Sequence, residues 1–416
     1  MNLTPNYSWR SAVEGVVAEI LPEIRDLRRH LHRHPELSEE EFQTTEYLAA
    51  KVRGAGIEPH LTSARRGLWC DLIAGSHPSR NPQGPYLAIR GDIDALPICD
   101  AKGVDYRSTR DGIMHACGHD AHTAILYGTL RVLRELSARG QLPWPVAVRG
   151  LFQPSEETGT GALLMIREGA LEGVAAAIAL HVDPSRSVGS IGLRAGTLTA
   201  ACDTLRIEIL GRGGHGARPH LTLDPIEATA AWIIAALRRV PRAIDVHRAG
   251  VFSVGKISAG VAPNVIPESA VLEGTLRSLA VQTRETAIAT LENVNRAIAA
   301  ECGVQIQMTL LDSTPPVVND SALIQIVAHG AGQLLGEDAL QWIAEPSMGG
   351  EDFAFYLDHI PGAMFRLGIA GAETGSAPLH TPTFDLDERG LGVGMMAMVG
   401  AAVEYFAPRT PPSRPS

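Results

Sequence analysis

The sequence predicts an α/β protein with a mainly parallel mixed sheet flanked by helices and an inserted α+β domain. Three observations support this fold class. Short apolar runs alternate with stretches of helical periodicity in the first part of the chain. Polar side chains follow three of those runs, at the strand ends where parallel sheets bind ligands. The pattern changes near residue 197 to alternating strands, and the first pattern returns after Pro315 and Pro316.

Length and composition agree with two globular domains. The chain has 416 residues, of which 45% are apolar and 20% are charged. Its formal net charge of −10 gives no reason to expect nucleic acid or an anionic membrane surface as a partner. No apolar run approaches the ~20 residues needed to span a bilayer, and the first residues lack the pattern of a secretory signal. Five cysteines without framework spacing favour a reducing compartment, so we expect a soluble cytoplasmic protein.

The first domain begins with two helices and continues with alternating strands and helices. Apolar residues at helical spacing predict helices over residues 11–33 and 39–53. We interpret His30, His32 and His34 of the intervening run LHRHPELSEEEF as a solvated helix end. The next predicted elements are strand 86–91, helix 119–138, strand 146–152, helix 160–170 and strand 176–181.

The inserted domain is predicted over residues 197–310, which leaves a discontinuous first domain of residues 1–196 plus 311–416. Alternation and helical periodicity predict five elements in the insertion: strands 203–210, 270–277 and 304–311, and helices 224–239 and 280–301. The chain then continues with helix 321–335, strand 364–370 and helix 388–406. We expect the proline-rich tail APRTPPSRPS to be disordered.

The densest group of chemically active residues is the run MHACGHDAHT at 114–123. It holds His115, Cys117, His119, Asp120 and His122. Thiolate and imidazole donors suit zinc or a similar divalent metal. A structural zinc site would normally pair two Cys-x-x-Cys units, and their absence here favours a catalytic metal site. The alternative is a lone buried cysteine beside surface histidines.

Adjacent carboxylates, Glu156 and Glu157, follow the strand 146–152 in the run FQPSEETGTGA. On an extended segment, neighbouring side chains point to opposite sides, so one carboxylate could bind a metal while the other acts as a general base. Most such pairs are solvated helix starts, but the position after an apolar strand strengthens the functional interpretation. His181 and His380 could reach the same cleft, although single histidines are more often structural. Phosphate-loop, dinucleotide-loop and serine-nucleophile motifs are absent or incomplete.

Eight motifs carry a resemblance to a known family, and they are, in order, RGDIDALPI, MHACGHDAHTA, FQPSEETGTGA, ALHVDP, GRGGHGARPH, APNVIPESAVLEGTLR, SMGGEDFAFY and LHTPTFD. Together they resemble the metallopeptidase family of glutamate carboxypeptidase, aminoacylase and succinyl-diaminopimelate desuccinylase. The likeness is greatest to its amidohydrolase branch, which includes hippurate hydrolase, N-acyl-amino-acid amidohydrolase and the plant indoleacetyl-amino-acid hydrolases. The resemblance covers residues 24–405. Ala121 stands where this branch usually has glycine, which implies a small packing effect.

The resemblance implies two divalent metal ions per subunit, for which zinc, manganese, cobalt and nickel all suit the mixed donors. It also implies a general base at Glu156. Three carboxylates, Asp92, Asp94 and Asp120, are expected to support the ligands from behind. The implied metal ligands are Cys117, His119, Glu157, His181 and His380.

The inserted domain resembles the lid or dimerisation domain of the family, which implies a homodimer. His215 matches a histidine that reaches into the partner subunit's site and polarises the substrate carbonyl. Asn264 and Arg277 match positions near the carboxylate or amide of the substrate. Arg277 and backbone groups near Gly349 and Gly350 could hold a free carboxylate.

The implied reaction is hydrolysis of the amide bond in a small N-acyl-amino acid, with a hippurate-like, acetyl or other acyl group. One alternative is a dipeptidase or carboxypeptidase on the same scaffold, although such relatives generally have a carboxylate in the place of Cys117. Another is a metal-binding protein without catalysis, which the presence of Glu156 beside all five ligands disfavours.

Overall fold

The structure is a computed structural model that describes residues 8–75 and 85–408. The tail expected to be disordered lies outside the described residues from position 409 onward. The helices are α1 Ser8–Arg33, α2 Phe42–Gly54, α3 His119–Ala138, α4 Gly161–Arg167, α5 Pro225–Ala243, α6 Val281–Cys302, α7 Ser321–Leu335, α8 Ala354–Leu357 and α9 Arg389–Tyr405, with 3-10 turns at Pro219–Leu221 and Glu337–Ala339.

The strands range from two to fourteen residues in length. They are β1 Pro59–Leu61, β2 Leu68–Ala74, β3 Tyr86–Asp92, β4 Val146–Gln153, β5 Val174–Ser187, β6 Ile191–Leu193, β7 Gly196–Thr197, β8 Ala201–Leu210, β9 Gly214–His215, β10 Gly250–Ala259, β11 Val265–Ile266, β12 Ser269–Ser278, β13 Gln305–Thr314, β14 Val318–Asn319, β15 Leu340–Trp342 and β16 Gly362–Ala370.

The chain divides into two compact units. The second unit consists of Thr197–Val317 and Glu345–Ala354, and the first contains the rest of the chain. The first unit is therefore formed by chain segments that precede and follow those of the second along the sequence.

The first unit contains an eight-stranded sheet in the order β1-β2-β4-β3-β5-β16-β6-β15. The four central strands β4, β3, β5 and β16 run parallel, whereas β1, β2 and β6 add antiparallel pairings. Helices α1, α3 and α9 pack against one another, and α7 packs against α9. The predicted fold class, a mainly parallel sheet flanked by helices, is confirmed. Strands β3 and β4 are buried along their whole length, as expected of central strands covered on both faces.

The second unit is an α+β layer. Its four-stranded antiparallel sheet has the order β10-β12-β8-β13, and α5 and α6 pack against it. Burial along β8 alternates residue by residue, so one face of that strand enters the core. The buried Trp232 on α5 fixes the helix pair, because its indole N–H donates to Asn295 Oδ1 of α6 at 2.6 Å.

The predicted elements match the structure to different degrees. Helices α3 and α7 begin and end at the predicted residues, and most other predicted elements differ by a few residues. The sequence reasoning did not predict β1 and β2, which form an antiparallel edge of the first sheet. The strand β10 of the second sheet was not predicted either.

Candidate metal centre

The candidate site lies at the carboxyl ends of β3 and β4 and beside the middle of β5. Strands β3 and β4 are paired up to Asp92 and Gln153, and β5 pairs with β3 and continues through His181. Because parallel neighbours end at the same edge of a sheet, the residues that follow them meet there. The polar residues that the sequence places after three predicted strands therefore meet in a single place of the first unit. The prediction that the third strand ends at His181 is wrong, because β5 continues to Ser187.

Gly118 shapes the turn that carries Cys117 and His119. It is the N-cap of α3 and has a left-handed backbone with φ 90°. A Cβ at this position would lie 2.4 Å from Val182 Cγ2. The turn therefore requires glycine for two reasons: the positive φ and the close approach of β5.

Five candidate donors converge from distant segments. Cys117 Sγ lies 3.4 Å from His181 Nε2 and 3.3 Å from His380 Nε2. Glu157 Oε1 lies 3.4 Å from His380 Nε2 and 3.9 Å from His119 Nε2. The structure thus brings together all five residues named as ligands. Glu156 lies beside them, with Oε2 3.9 Å from His119 Nε2.

The groups behind the donors leave the inward-facing atoms free. His119 Nδ1 is 3.0 Å from Asp94 Oδ1, and His181 Nδ1 is 2.8 Å from the backbone oxygen of Val182. When these Nδ1 atoms carry the hydrogen, each Nε2 presents a lone pair to the cluster. Among the described residues, His119 Nε2 and Glu157 Oε1 are buried side-chain atoms without a hydrogen-bond partner. Such buried orphan acceptors fit a cation.

Asp94 also fixes Glu157, because its Oδ2 accepts the backbone N–H of Glu157 at 3.0 Å. Glu156 and Glu157 lie in a turn and not on an extended segment. The different surroundings of the two carboxylates are therefore set by the turn, and not by the strand alternation that the sequence suggested.

His122, a member of the same histidine-rich run, has both ring nitrogens engaged. Its Nδ1 lies 2.7 Å from Asp92 Oδ1, and its Nε2 accepts the backbone N–H of Val182 at 3.0 Å. These bonds leave no lone pair for a metal, so His122 braces Asp92 and β5. Asp92 Oδ2 also lies 3.5 Å from His119 Nε2, the ring nitrogen that faces the donor cluster, so Asp92 does not lie behind this ligand as Asp94 does.

The electrostatics of the pocket favour a positive charge. Burial, reinforced by Glu157, raises the pKa of the Cys117 thiol well above its ordinary value. Burial disfavours the imidazolium form of His119, but Asp92 and the Cys117 sulfur outweigh burial and raise the pKa of His119 well above its usual range. A cation held here would reverse the first effect and stabilise the thiolate.

Asp120 lies in a different environment from the one predicted. Its Oδ2 is 2.8 Å from Arg28 Nε and 2.7 Å from His32 Nδ1, and all three residues are buried. Asp385 adds a second carboxylate to Arg28 at 2.9 Å. Asp120 therefore anchors α1 to α3 and does not contact the candidate ligands. The expectation that His32 belongs to a solvated helix end is wrong, because this ion cluster compensates the cost of burying its ring.

The remaining predicted residues lie in the second unit and form two groups. His215 is exposed on β9, and its strand partner β11 follows Asn264, whose carbonyl accepts the N–H of Gly216 at 2.9 Å. Arg277 on β12 donates to the carbonyl of Met348 at 2.8 Å. Gly349 and Gly350 come directly after Met348, so the structure brings Arg277 together with both glycines.

Sequence reasoning missed three residues that support the site from behind: Ser38, Glu41 and Ser155. The Ser38 hydroxyl donates to Asp94 Oδ2 at 2.7 Å, and Glu41 is fully buried against Ser155. Burial, followed by the charge of Asp94, raises the pKa of Glu41 to about 7. The acidic run that contains Glu41 looks solvated in the sequence, and no local pattern shows that Glu36 and Glu41 within it are buried.

The fold and the converging donors define a hydrolase with a metal-binding constellation at the edge of a parallel sheet. Comparison with known proteins identifies the family. The model for Peptidase family M20/M25/M40 matches residues 88–402, and the chain belongs to this family. Its relatives place it in the amidohydrolase branch, so the predicted family and enzyme class are confirmed.

Two curated relatives and one solved structure illustrate the likeness. N-acetyl-L-cysteine deacetylase of Bacillus subtilis is 39% identical, covering 87% of this chain and 83% of the relative. IAA-amino acid hydrolase ILR1-like 2 of Arabidopsis thaliana is 33% identical, covering 92% and 86%. The Bacillus subtilis YXEP protein, a dinuclear metal binding peptidase from the M20 family, is 34% identical with a TM-score of 0.77, covering 93% and 98%.

Among the helices of the described residues, none combines the length and the apolar character needed to cross a membrane.

Proposed function

We propose that the protein hydrolyses the amide bond of N-acyl-amino acids with the help of bound divalent cations, releasing a carboxylic acid and a free amino acid. One observation carries the proposal: five donors from four distant segments converge beside Glu156. Two of their atoms, His119 Nε2 and Glu157 Oε1, are buried without a partner among the described residues. The names of the relatives support an acylated amino acid as the substrate class.

The donor set fits two divalent cations, a number that the dinuclear relative supports. The proposed ligands are Cys117, His119, Glu157, His181 and His380. A thiolate with imidazoles and a carboxylate is compatible with zinc, manganese, cobalt or nickel. When bound, such cations lower the pKa of a water toward ~7 and polarise an amide carbonyl.

Glu156 is proposed as the general base. Its carboxylate lies beside the donor cluster, with Oε2 3.9 Å from His119 Nε2. It would accept a proton from the water that attacks the amide carbon. The same carboxyl would then return the proton to the departing amine.

Residues of the second unit are proposed to bind the substrate. The His215 ring accepts the N–H of Ala217 on Nδ1 at 3.0 Å, so Nε2 carries the hydrogen and can donate it to a developing oxyanion. Arg277 and the backbone near Gly349 and Gly350 would pair with the carboxylate of the amino acid, and Asn264 would bind the amide.

A homodimer is proposed because the second unit exposes a strand edge and apolar side chains. Strand β10 is the terminal strand of its sheet, and Val251 and Ile257 on it are exposed. Helix α5 exposes Ile234, at 66% of its surface. An unpaired edge with apolar neighbours suits two-fold pairing with a second copy, whose His215 would enter the site of this chain.

The proposal is tested by metal removal combined with a substrate panel. Protein treated with a chelator should lose activity and regain it with one of the four cations. The panel would contain N-acetyl-L-cysteine, hippurate, other N-acyl-amino acids and unblocked dipeptides. Hydrolysis of the acylated amino acids supports the proposal, preference for dipeptides supports the peptidase alternative, and full activity without metal contradicts the proposed chemistry.

Two cysteine variants separate ligation from packing. Cys117→Ser should lower metal content markedly, because a hydroxyl is a poor soft ligand. Cys70 on β2 is also buried but lies away from the donors, so Cys70→Ser should keep its metal and lose only stability. Equal metal content in the two variants would remove Cys117 from the ligand set.

A further inference from the structure

The turn that carries Glu156 depends on an unusual backbone at Ser155. This serine has φ 53°, in the left-handed region, which costs a non-glycine residue about 1 kcal/mol. Its carbonyl accepts the N–H of Gly161 at 3.1 Å, and the carbonyl of Glu156 accepts that of Gly159 at 2.8 Å, closing the turn. The backbone conformation of Ser155 therefore sets the direction of the chain between the end of β4 at Gln153 and Glu156.

Glu41 holds Ser155 in this conformation. Its Oε1 accepts both the backbone N–H and the hydroxyl of Ser155, at 2.7 and 2.9 Å. The serine oxygen accepts in turn the N–H of Glu39 at 2.9 Å. Glu41 and Ser155 are at most 1% exposed, so water does not compete for these bonds.

The carboxyl group of Glu41 is buried with few partners, which costs free energy of folding. Glu41 Oε2 has no hydrogen-bond partner among the described residues, and the nearest cation, Arg66 Nη1, lies 3.9 Å away. The main interaction of the Glu41 carboxyl group is with Ser155, whose backbone N–H and hydroxyl both donate to Oε1.

Glu157 is held by a separate contact. The Ser38 hydroxyl donates to Asp94, and Asp94 accepts the N–H of Glu157. Loss of Glu41 would therefore release the turn at Ser155 while the bond to Glu157 remains.

We propose that Glu41 is a positioning residue for Glu156: by fixing the left-handed backbone of Ser155, it aims the Glu156 carboxylate at the reacting water. This role rests on the proposed function of Glu156 as general base. Glu41 does not touch the substrate and acts only through Ser155.

The kinetic test compares three variants. Glu41→Gln keeps an amide oxygen that can accept both bonds, so its kcat should stay within about twofold of wild type. Glu41→Ala removes the acceptor and should lower kcat by about 10- to 100-fold, with KM and metal content unchanged, because displacement of a reacting group by about 1 Å has effects of that size. Glu36→Ala is the matched control, since Glu36 is also buried in the same loop but accepts the N–H of Thr44 instead. It should lower stability and leave kcat unchanged.

Hydrogen exchange of metal-free protein gives a readout that is independent of activity. Peptides covering residues 154–161 should exchange faster in Glu41→Ala than in wild type or Glu41→Gln. In Glu36→Ala, faster exchange should be confined to the start of α2.

The proposal is overturned if Glu36→Ala and Glu41→Ala lose the same kcat, or if the turn exchanges equally in Glu41→Ala and wild type. If Glu41→Ala does not fold, Ser155→Ala takes its place: it removes the hydroxyl bonds to Glu41 and Glu39 and keeps the backbone bond to Glu41. This variant must still show a smaller kcat and faster exchange, and wild-type behaviour would overturn the proposal. If wild-type protein hydrolyses no N-acyl-amino acid, the proposed function fails, while the exchange result still decides whether Glu41 holds the turn.

Discussion

Glu156 and Glu157 are adjacent in the sequence, but their neighbours assign them different tasks. Glu157 Oε1 lies 3.4 Å from His380 Nε2 and the backbone of Glu157 is bound to Asp94, whereas Glu156 Oε2 approaches the donor cluster at His119 Nε2, 3.9 Å away. Glu156→Gln should therefore keep fold and metal and lower kcat by ~10²–10⁴, the usual contribution of a general base. Glu157→Gln should reduce metal occupancy.

Metal analysis and kcat measured on both variants distinguish these outcomes. Equal metal content in the two proteins would show that the roles have been assigned to the wrong carboxylates.

The buried Glu41 predicts a pH dependence of stability. Its pKa rises from the ordinary 4.5 to about 7 in the folded state, through burial and then Asp94, with Arg66 as the facing cation. Since the folded protein holds this proton more tightly, the contribution is full below pH 4.5 and is lost as the pH rises through 7. Relative to Glu41→Gln, which cannot ionise, wild type should lose about 3 kcal/mol at most between pH 4.5 and 8.

Urea unfolding of metal-free wild type and Glu41→Gln at several pH values measures this difference. Stability curves that run parallel across the range would mean that Glu41 stays ionised in the folded protein.

Among individual residues, the sequence predicts those whose role follows from residue type and local spacing, without knowledge of distant contacts. Cys117, His119 and Glu157 were found because thiol, imidazole and carboxylate groups cluster after apolar strands. His32, Asp120 and Glu41 were misjudged or missed, because a charged residue can be buried only when distant partners compensate it. Those partners, such as Arg28 for Asp120, lie far away in the sequence.

Among the secondary structure elements, α3 links the fold most directly to the site, and its two ends offer a matched test. Gly118 at the start and Gly140 just after the end both have positive φ, but a Cβ would collide with Val182 only at Gly118 and meets nothing within 4 Å at Gly140. Gly140→Ala should cost about 1 kcal/mol of stability and keep full metal content. Gly118→Ala should cost about 1–3 kcal/mol more and displace Cys117 and His119, with loss of metal.

Thermal unfolding and metal content of the purified variants check this prediction. If Gly118→Ala binds metal as Gly140→Ala does, the turn is not what positions these two donors.

The elements themselves were predictable where burial imposes a clear period. Helix α3 carries apolar residues at helical spacing, and β3 and β4 are short, mostly apolar runs in which Arg90 and Arg149 are the charged exceptions before the polar ends, so their positions follow largely from pattern. The edge strand β1 was missed because three residues are too few to show a period, and the neighbouring β2, which carries the charged Asp71, was missed with it. Asp71 is accommodated by Arg149 of β4 at 2.6 Å, a pairing that no local pattern reveals.

For the whole molecule, sequence reasoning inferred an insertion from the change of pattern near residue 197. The second unit also includes Glu345–Ala354, a short segment far along the chain. Its backbone joins the unit through bonds such as Ala200 N–H to the carbonyl of Gly349 at 3.1 Å. Ten residues without helical or alternating periodicity give no signal of which unit they will join.

The proposed homodimer makes a prediction that requires both subunits. If His215 acts in the partner subunit's site, a hybrid of His215→Ala and Glu156→Gln subunits contains one site with both residues intact. Mixing the two inactive variants under conditions of exchange should restore about a quarter of wild-type activity, because half of the dimers are hybrids and each has one complete site of two.

The reverse pairing provides the control. When a subunit carrying both substitutions is combined with wild type, action across the interface leaves neither site of the hybrid complete, since the wild-type subunit receives alanine in place of the partner's His215. Action within one subunit predicts the opposite in both experiments: no recovery in the first and one active site per hybrid in the second. The activity of hybrids purified through two different affinity tags therefore decides between action across the interface and action within one subunit. Sedimentation of the untagged protein as a monomer would exclude action across the interface.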